Sequence, residues 1–268
     1  MCIRDRHGLF RVRAFTQDDA HIYCRLDQVQ DEVRGVLELT ERMYDRFGFD
    51  DVRLNLSTRP EKAIGDDAIW DAAEDALRAA LAGREYELNE GDGAFYGPKI
   101  DFKVTDTMGR SWQLGTCQLD FALPERFNLH YTSAEDTAER PVMIHRAIVG
   151  SIERFLGILI EDTGGDFPLW LAPVQVRVLP IADRHAESAE EVRAGLVAAG
   201  FRAEVDARSE SVGKRIRDGE LAKVPYLLVL GDKEVESGTL SPRRRGEGDL
   251  GAMSREELIE RLAAEVAG

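Results

Sequence analysis

The stretch KIDFKVTDTMGRSWQLGTCQLDF (residues 99–121) decides the fold of the first half of the chain. Ile100, Phe102 and Val104 alternate with polar residues, Asp106-Thr107-Met108-Gly109 supplies a turn, and residues 112–121 run back. Alternation about a turn is the signature of a β-hairpin. Upstream, Val29, Val33, Val36, Leu37, Met43, Tyr44 and Phe47 recur at helical spacing after a candidate N-cap, Asp27, until Gly48 stops the run. Residues 9–15 and 20–25 read as strands, as do Val52, Leu54 and Leu56; residues 66–81 present Ile69, Ala73, Ala76, Leu77, Ala80 and Leu81 on one helical face. Hairpins and helices segregated in this way predict an α+β unit built on a mainly antiparallel sheet.

A boundary is expected at Pro168-Leu169-Trp170-Leu171-Ala172-Pro173, where two prolines follow Gly164-Gly165. The domains are therefore drawn at 1–172 and 173–268. Beyond the boundary the rhythm changes. Strands at 174–181, 201–205 and 224–230 alternate with helices at 186–199 and 212–222, and a further short strand and a helix at 254–266 follow. This predicts a small three-layer α/β domain with a mostly parallel sheet.

Length and composition agree with two ordinary globular domains. The chain has 268 residues, 43% of them hydrophobic and 32% charged. No run approaches the roughly 18 apolar residues of a membrane helix, and the charged residues near the N-terminus do not suit a signal peptide. Cys2, Cys24 and Cys117 are too scattered for a disulfide framework, so a reducing, cytoplasmic setting is expected. The net charge of −15 excludes nucleic-acid binding by bulk electrostatics. The first half carries −12 of it and the second half only −3, so any RNA contact is expected through a local basic patch in the second half.

Three polar clusters could carry chemistry. In RVRAFTQDDAH (residues 11–21), an extended backbone would align Arg11, Arg13, Phe15, Gln17, Asp19 and His21 on one face. A solvated sheet face is one reading of that row. Nucleotide binding is the other, since guanidinium grips phosphate and an aromatic ring stacks on a purine. The second cluster joins FYGPKIDF (residues 95–102) to QLGTCQLD (residues 113–120). Strand alternation would set Gln113, Gly115 and Cys117 opposite Leu114, Thr116 and Gln118, and Gly115 would permit close approach of a ligand or another strand. The third, HRAIVGSIERF (residues 145–155), runs from an apolar strand through Gly-Ser into a helix, whose first amides suit an anion. His21 and His145 lie too far apart for spacing alone to make them a metal pair.

Together with PVMIHRAIVGSIERFLGILIE, FPLWLAPVQV and VPYLLVLGDKEVESG, these clusters closely resemble the threonyl-tRNA synthetases, class II aminoacyl-tRNA ligases, over residues 7–268. The resemblance implies a class II synthetase catalytic core, partial here, followed by an anticodon-binding domain. It implies ATP-dependent formation of threonyl adenylate and transfer of the threonyl group to tRNA(Thr), with Mg²⁺ accompanying ATP. Arg11 and Arg154 would hold phosphates, Phe15 and Arg154 would flank adenine, and Gln113 and Thr116 would contact adenosine. Lys99, with Arg11 and Arg154, is implied at the reacting end, and Gln17, Asp19, Tyr96 and Gln118 around threonine. The family also uses Zn²⁺ bound by one cysteine and two histidines, and His21 and His145 match the histidines. Ser209, Glu234 and Arg243 match anticodon contacts, with Arg243-Arg244-Arg245 and Lys214-Arg215-Arg217 as the basic patch.

The sequence departs from the family at its start. The cysteine ligand, the first class II motif, an arginine of the second motif, the dimer-forming segment and the N-terminal editing region are not matched, and residues 1–6 look foreign to the family. The chain is accordingly expected to be a catalytically incomplete part of a homodimeric ligase, with two of three zinc ligands. A tRNA-binding module without ligase activity is the alternative expectation.

Overall fold

The computed structural model describes residues 6–267; Cys2 lies outside them. The chain divides into two compact units, one running to Asp162 and the other starting at Thr163.

The first unit is a six-stranded sheet. Its strands are β1 (Ala20–Cys24), β2 (Val52–Ser57), β3 (Glu87–Asn89), β4 (Lys99–Thr105), β5 (Ser111–Asp120) and β8 (Val142–Ala147), and β6 (Tyr131–Thr132) pairs separately with β7 (Ala138–Glu139). The order is β1-β8-β5-β4-β2-β3, antiparallel except for β2 with β3. Helix α1 (Val29–Phe47) packs on β1, β5 and β8 and against α2 (Asp67–Ala80). Its inward stripe is Val29, Val33, Val36, Leu37, Thr40 and Tyr44, and Gly48 ends it in the left-handed region at φ 81°. Tyr44 is fully buried; its hydroxyl donates to the Ile148 carbonyl at 2.7 Å and accepts the Gly115 amide at 3.2 Å. Burial pushes its pKa well above the ordinary phenol value. One tyrosine thus ties the helix to β5 and to the loop after β8, leaving the opposite face of the sheet for polar residues.

Two expectations are corrected here. Residues 9–15 do not form a strand: residues 8–10 are a turn closed by the His7–Arg11 bridge, and the chain runs irregularly until β1. The polar row from Arg11 is therefore a strap that becomes a strand only at Ala20. Asp27 does not cap α1 either; it sits in a 3-10 turn and binds Arg25 at 2.8 Å, and Gln28 precedes the helix.

The hairpin forms as its alternation predicts, with one irregularity. Between the pairs Asp101↔Thr116 and Lys103↔Gln113, β5 contains one residue more than β4. This β-bulge breaks the alternation at Leu114–Gly115, so Gln113 joins the accessible side of Thr116 instead of opposing it. Gly115 meets another strand's end: a Cβ there would come within 2.6 Å of the Ile148 carbonyl and 2.8 Å of that of Ala147. In the turn, the buried carboxylate of Asp106 accepts from the Met108 and Arg110 amides, the Arg110 guanidinium and the Trp112 indole.

The second unit has a five-stranded sheet in the order β10-β9-β11-β12-β13, from β9 (Val176–Pro180), β10 (Ala203–Val205), β11 (Tyr226–Leu230), β12 (Ser241–Arg244) and β13 (Gly248–Asp249). The first three strands are parallel; β12 and β13 extend the sheet antiparallel, so half its pairings depart from the expected parallel pattern. Residues from α5 (Ala186–Ala198) and α8 (Arg255–Ala267) pack on one face with Val176, Val178, Tyr226 and Leu228. Ile216 of α6 (Val212–Leu221) packs with Leu179 and Leu227 on the other. Leu169 belongs to the first of these clusters, so the proline-flanked segment goes with the second unit.

Gly115→Ala is expected to destabilise the protein by about 1–3 kcal/mol in chemical denaturation, because backbone carbonyls must retreat. Gly213→Ala, where a Cβ meets nothing within 4 Å in α6, is expected instead to stabilise by about 0.4–1 kcal/mol. Burial raises the pKa of Asp106, but the four donors outweigh it and hold the group down at about 2. Its contribution is present above the unfolded-state value near 4 and is lost as pH falls towards about 2. Stability measured across that window should fall less steeply in Asp106→Asn than in the wild type.

Candidate active site

The strap from Arg11 to Asp19 is fixed by a carboxylate. Asp18 accepts the amides of Ile148, Val149 and Gly150 at 2.8, 3.2 and 2.9 Å. Glu153, in the first turn of α4 (Ile152–Thr163), accepts the Thr16 amide at 2.9 Å, and the Thr16 carbonyl accepts the Ile152 amide. That amide holds the Glu153 pKa below the ordinary carboxylate range. The amides before α4, expected to await an external anion, are therefore taken up by Asp18. Sequence reading assigned Asp18 no role; its only signal was the Asp18-Asp19 doublet beside a polar row.

This pinning carries Asp19 and His21 to the free face of β1 and β8. His21 lies directly across from His145 in the β1–β8 register, with ring centroids 4.5 Å apart. Ligand atoms of Asp19, His21 and His145 all lie within 4.8 Å of one another. Asp19 and His21 are exposed and His145 is partly buried. Two imidazoles and a carboxylate form an N/O donor set that suits Zn²⁺. The resemblance implied only the two histidines; the carboxylate comes from a residue it assigned to threonine. The described cysteines are elsewhere. Burial, then nearby Glu32 and Asp27, pushes the Cys24 thiol up to about 11, and burial pushes that of Cys117 up to about 12.

Beside the trio, the Tyr96 hydroxyl donates to Gln118 Oε1 at 2.9 Å and its ring lies 5.7 Å from that of His145. Burial and the carboxylates of Asp120 and Asp19 raise the Tyr96 pKa, so its proton stays in place. His145 Nε2 pairs with the buried Asp120 at 2.9 Å.

A second centre forms around Asp101, which is buried. Lys99 Nζ lies 2.7 Å from its Oδ2, and Gln113 Nε2 and Thr116 Oγ1 donate to its Oδ1 at 2.7 and 2.9 Å. Three residues singled out from sequence thus converge on a carboxylate that sequence reading left without a role, and the bulge makes it possible. Lys99 accordingly carries a bound counter-ion within the fold.

Arg154 Nε donates to the Phe10 carbonyl at 3.0 Å and Nη1 to that of Gln113 at 2.8 Å, with the guanidinium 5.5 Å from the Trp112 ring centre. Burial and the neighbouring Arg11 lower its pKa. Arg154, held by two carbonyls and under the electrostatic influence of Arg11, provides positive charge suited to an anionic group. Phe15 is 58% exposed, an aromatic surface available for stacking, and Gln17 forms a bridge with Ser151.

In the second unit, Ser209 lies in the loop after β10, and α7 (Asp232–Ser237), which carries Glu234, follows β11. Both lie beyond the C-terminal ends of parallel strands, where such sheets accept ligands. Glu234 accepts the Gly231 amide at 3.0 Å and the Ser241 hydroxyl at 2.8 Å. Arg243, on β12, is 3.8 Å from Asp249. The expected basic patch is thinner than its sequence suggests. Arg244 pairs with Glu247 and Glu265, Arg245 with Asp166 and Lys214 with Glu210, while Arg215 is buried and bonded to the carbonyls of Asp206 and Pro180.

Comparison with known proteins follows this division. The family described as "tRNA synthetase class II core domain (G, H, P, S and T)" matches residues 3–163, and "Anticodon binding domain" matches residues 175–265. The threonine–tRNA ligase of Syntrophomonas wolfei is 58% identical over 262 residues, covering 97% of this chain and 41% of the relative. The chloroplastic/mitochondrial threonine–tRNA ligase 2 of Arabidopsis thaliana is 55% identical over 258 residues, 96% of this chain and 40% of that protein. The chain thus spans about two fifths of the length of the curated relatives it matches. A crystal structure of the RNA-binding domain of threonyl-tRNA synthetase from Cryptosporidium parvum superposes with a TM-score of 0.91 at 42% identity, covering 97% of this chain and 66% of that one. Fold, site and a core match over more than half its length agree: the chain belongs to the class II tRNA synthetases of the G, H, P, S and T core family, with an anticodon-binding domain following the core.

Proposed function

We propose that the chain provides the ATP-, threonine- and tRNA-binding parts of a threonine–tRNA ligase. The observation that carries this reading is the convergence of Asp19, His21 and His145 on one sheet face beside Tyr96 and Gln118, within a chain whose relatives are threonine–tRNA ligases. His21 and His145 would hold Zn²⁺, with Asp19, whose carboxylate lies within 4.8 Å of both, as an oxygen donor. A Zn²⁺ ion held there would supply a Lewis-acid site for the amino and hydroxyl groups of threonine, which valine, an isostere without the hydroxyl, could not satisfy. A site that demands a polar group discriminates far better than an apolar pocket.

The remaining work falls to the chain's own side chains. Gln17, Tyr96 and Gln118 orient threonine, and Tyr96 keeps its proton and can donate. Phe15 stacks on adenine, with Arg154 over the ring's other face, and Gln113 and Thr116 contact adenosine from the rim of the Asp101 centre. As the threonine carboxylate attacks the α-phosphorus, negative charge gathers on the departing pyrophosphate. Arg11 and Arg154, together with the Mg²⁺ that accompanies ATP, neutralise it without a covalent residue. Lys99 reaches this end of the site from its pair with Asp101. Ser209, Glu234 and Arg243 read the anticodon of tRNA(Thr), whose single-stranded bases expose their edges. A homodimer in the cytoplasm is part of the same proposal; no helix among the described residues is long and apolar enough to cross a membrane.

The Zn²⁺-loaded chain, assayed by calorimetry, should bind threonine at least about a hundredfold more tightly than valine, and His21→Ala should abolish the difference. Equal affinity for the two amino acids would overturn the reading. Binding of tRNA(Thr) should weaken about tenfold in Arg243→Ala, the loss of roughly one good polar contact. Tight tRNA binding by a chain that takes up neither ATP nor threonine would leave a tRNA-binding module instead.

A further inference from the structure

We infer that Asp120 is a positioning residue that selects the tautomer of His145 and thereby decides which ring nitrogen is available to a cation. Asp120 stands at the end of β5, diagonally across from His145, whose direct partner is Gln118. Its two oxygens are divided. Oδ1 accepts the amides of Ala122 and Leu123 at 2.8 and 2.9 Å, at the start of α3 (Ala122–Arg126), while Oδ2 faces His145 Nε2 at 2.9 Å. The side chain is fully buried, so no solvent competes for either oxygen.

A carboxylate can only accept. His145 must therefore carry its proton on Nε2, which leaves the lone pair on Nδ1 as the ring's donor towards Asp19 and His21. Carboxylate–histidine pairs of this type orient metal ligands and raise their basicity. The two backbone amides do more than hold Asp120 still: they make its two ends inequivalent. In Asp120→Asn, the amide oxygen must stay with the Ala122 and Leu123 donors, so the NH₂ group is turned towards His145. The ring then has to accept at Nε2, and its proton moves to Nδ1, the nitrogen needed by the cation. An isosteric change that removes no contact atom would thus close the donor.

The inference deepens the zinc reading above, yet its first test needs no metal. In ¹⁵N-labelled, metal-free chain at alkaline pH, long-range ¹H–¹⁵N correlations should show His145 protonated at Nε2 in the wild type and at Nδ1 in Asp120→Asn. The metal-free wild-type spectrum needs no variant to fold, and amide dispersion reports whether the variant does. Zn²⁺ titration should show Asp120→Asn binding about ten- to a hundredfold more weakly. His21→Ala should lose the metal while keeping the Nε2–H form, which separates loss of a ligand from loss of the tautomer. A wild-type ring protonated at Nδ1, an unchanged tautomer in Asp120→Asn, or undiminished Zn²⁺ affinity in that variant would overturn the inference. A wild type that binds no Zn²⁺ but shows the tautomer switch would support the role of Asp120 while removing the zinc reading.

Discussion

One carboxylate, that of Asp18, spans the joint on which the site of the first unit depends. The residues before β1 have little regular structure of their own, and a strap of charged residues in water has no reason to adopt one path. By accepting three successive amides at the end of the β8 loop, Asp18 replaces sheet pairing with a multidentate anchor. The anchor also satisfies donors that would otherwise stand unpaired ahead of α4. Phe15, Gln17, Asp19 and His21 hang on either side of it. Glu153 adds a second tie at Thr16, which fixes the strap to the start of α4, the helix that bears Arg154.

Much of this architecture was legible in the sequence where a single period governs the chain. Helix α1 announces itself through seven apolar residues at 3.6-residue spacing and a terminal glycine, and the hairpin through alternation about a turn; both elements formed, the helix preceded by Gln28 in place of Asp27 and the hairpin interrupted by its bulge. The strap did not, because its charged and apolar residues happen to alternate while its partners are single amides over a hundred residues away. The bulge on β5 was invisible for a related reason. Alternation predicts a face only while each residue pairs once, and nothing local marks the extra residue. The site was legible largely through family resemblance: residues of the polar row and the two histidines came together, whereas Asp18, Asp101 and Asp120, which organise them, carried no signal beyond being acidic residues near a motif.

The second unit shows a different limit. Counting arginines suggested a basic surface, but most of those charges are spent within the fold. Arg244 stitches β12 to α8 through Glu265, and Arg215 is sealed beneath the α6 turn by two carbonyls. What remains accessible at the ends of the parallel strands is a mixture of hydroxyl, carboxylate and guanidinium groups. Under the proposed anticodon reading, such a surface suits recognition of base edges one by one more than attraction of a polyanion from a distance.

The surplus residue in β5 has a genetic corollary. Upstream of it Gln113 looks outward with odd parity, and downstream Thr116 and Gln118 look outward with even parity. Removing a single codon at the bulge would restore a regular ladder with Gln113 and Thr116 still on one face, whereas removing one anywhere else in the strand would rotate one end by half a turn, exchanging its polar and apolar faces. The pleat therefore tolerates the loss of one residue only at Leu114–Gly115, and a gap at any other position of the strand should be accompanied by a compensating insertion within the same hairpin.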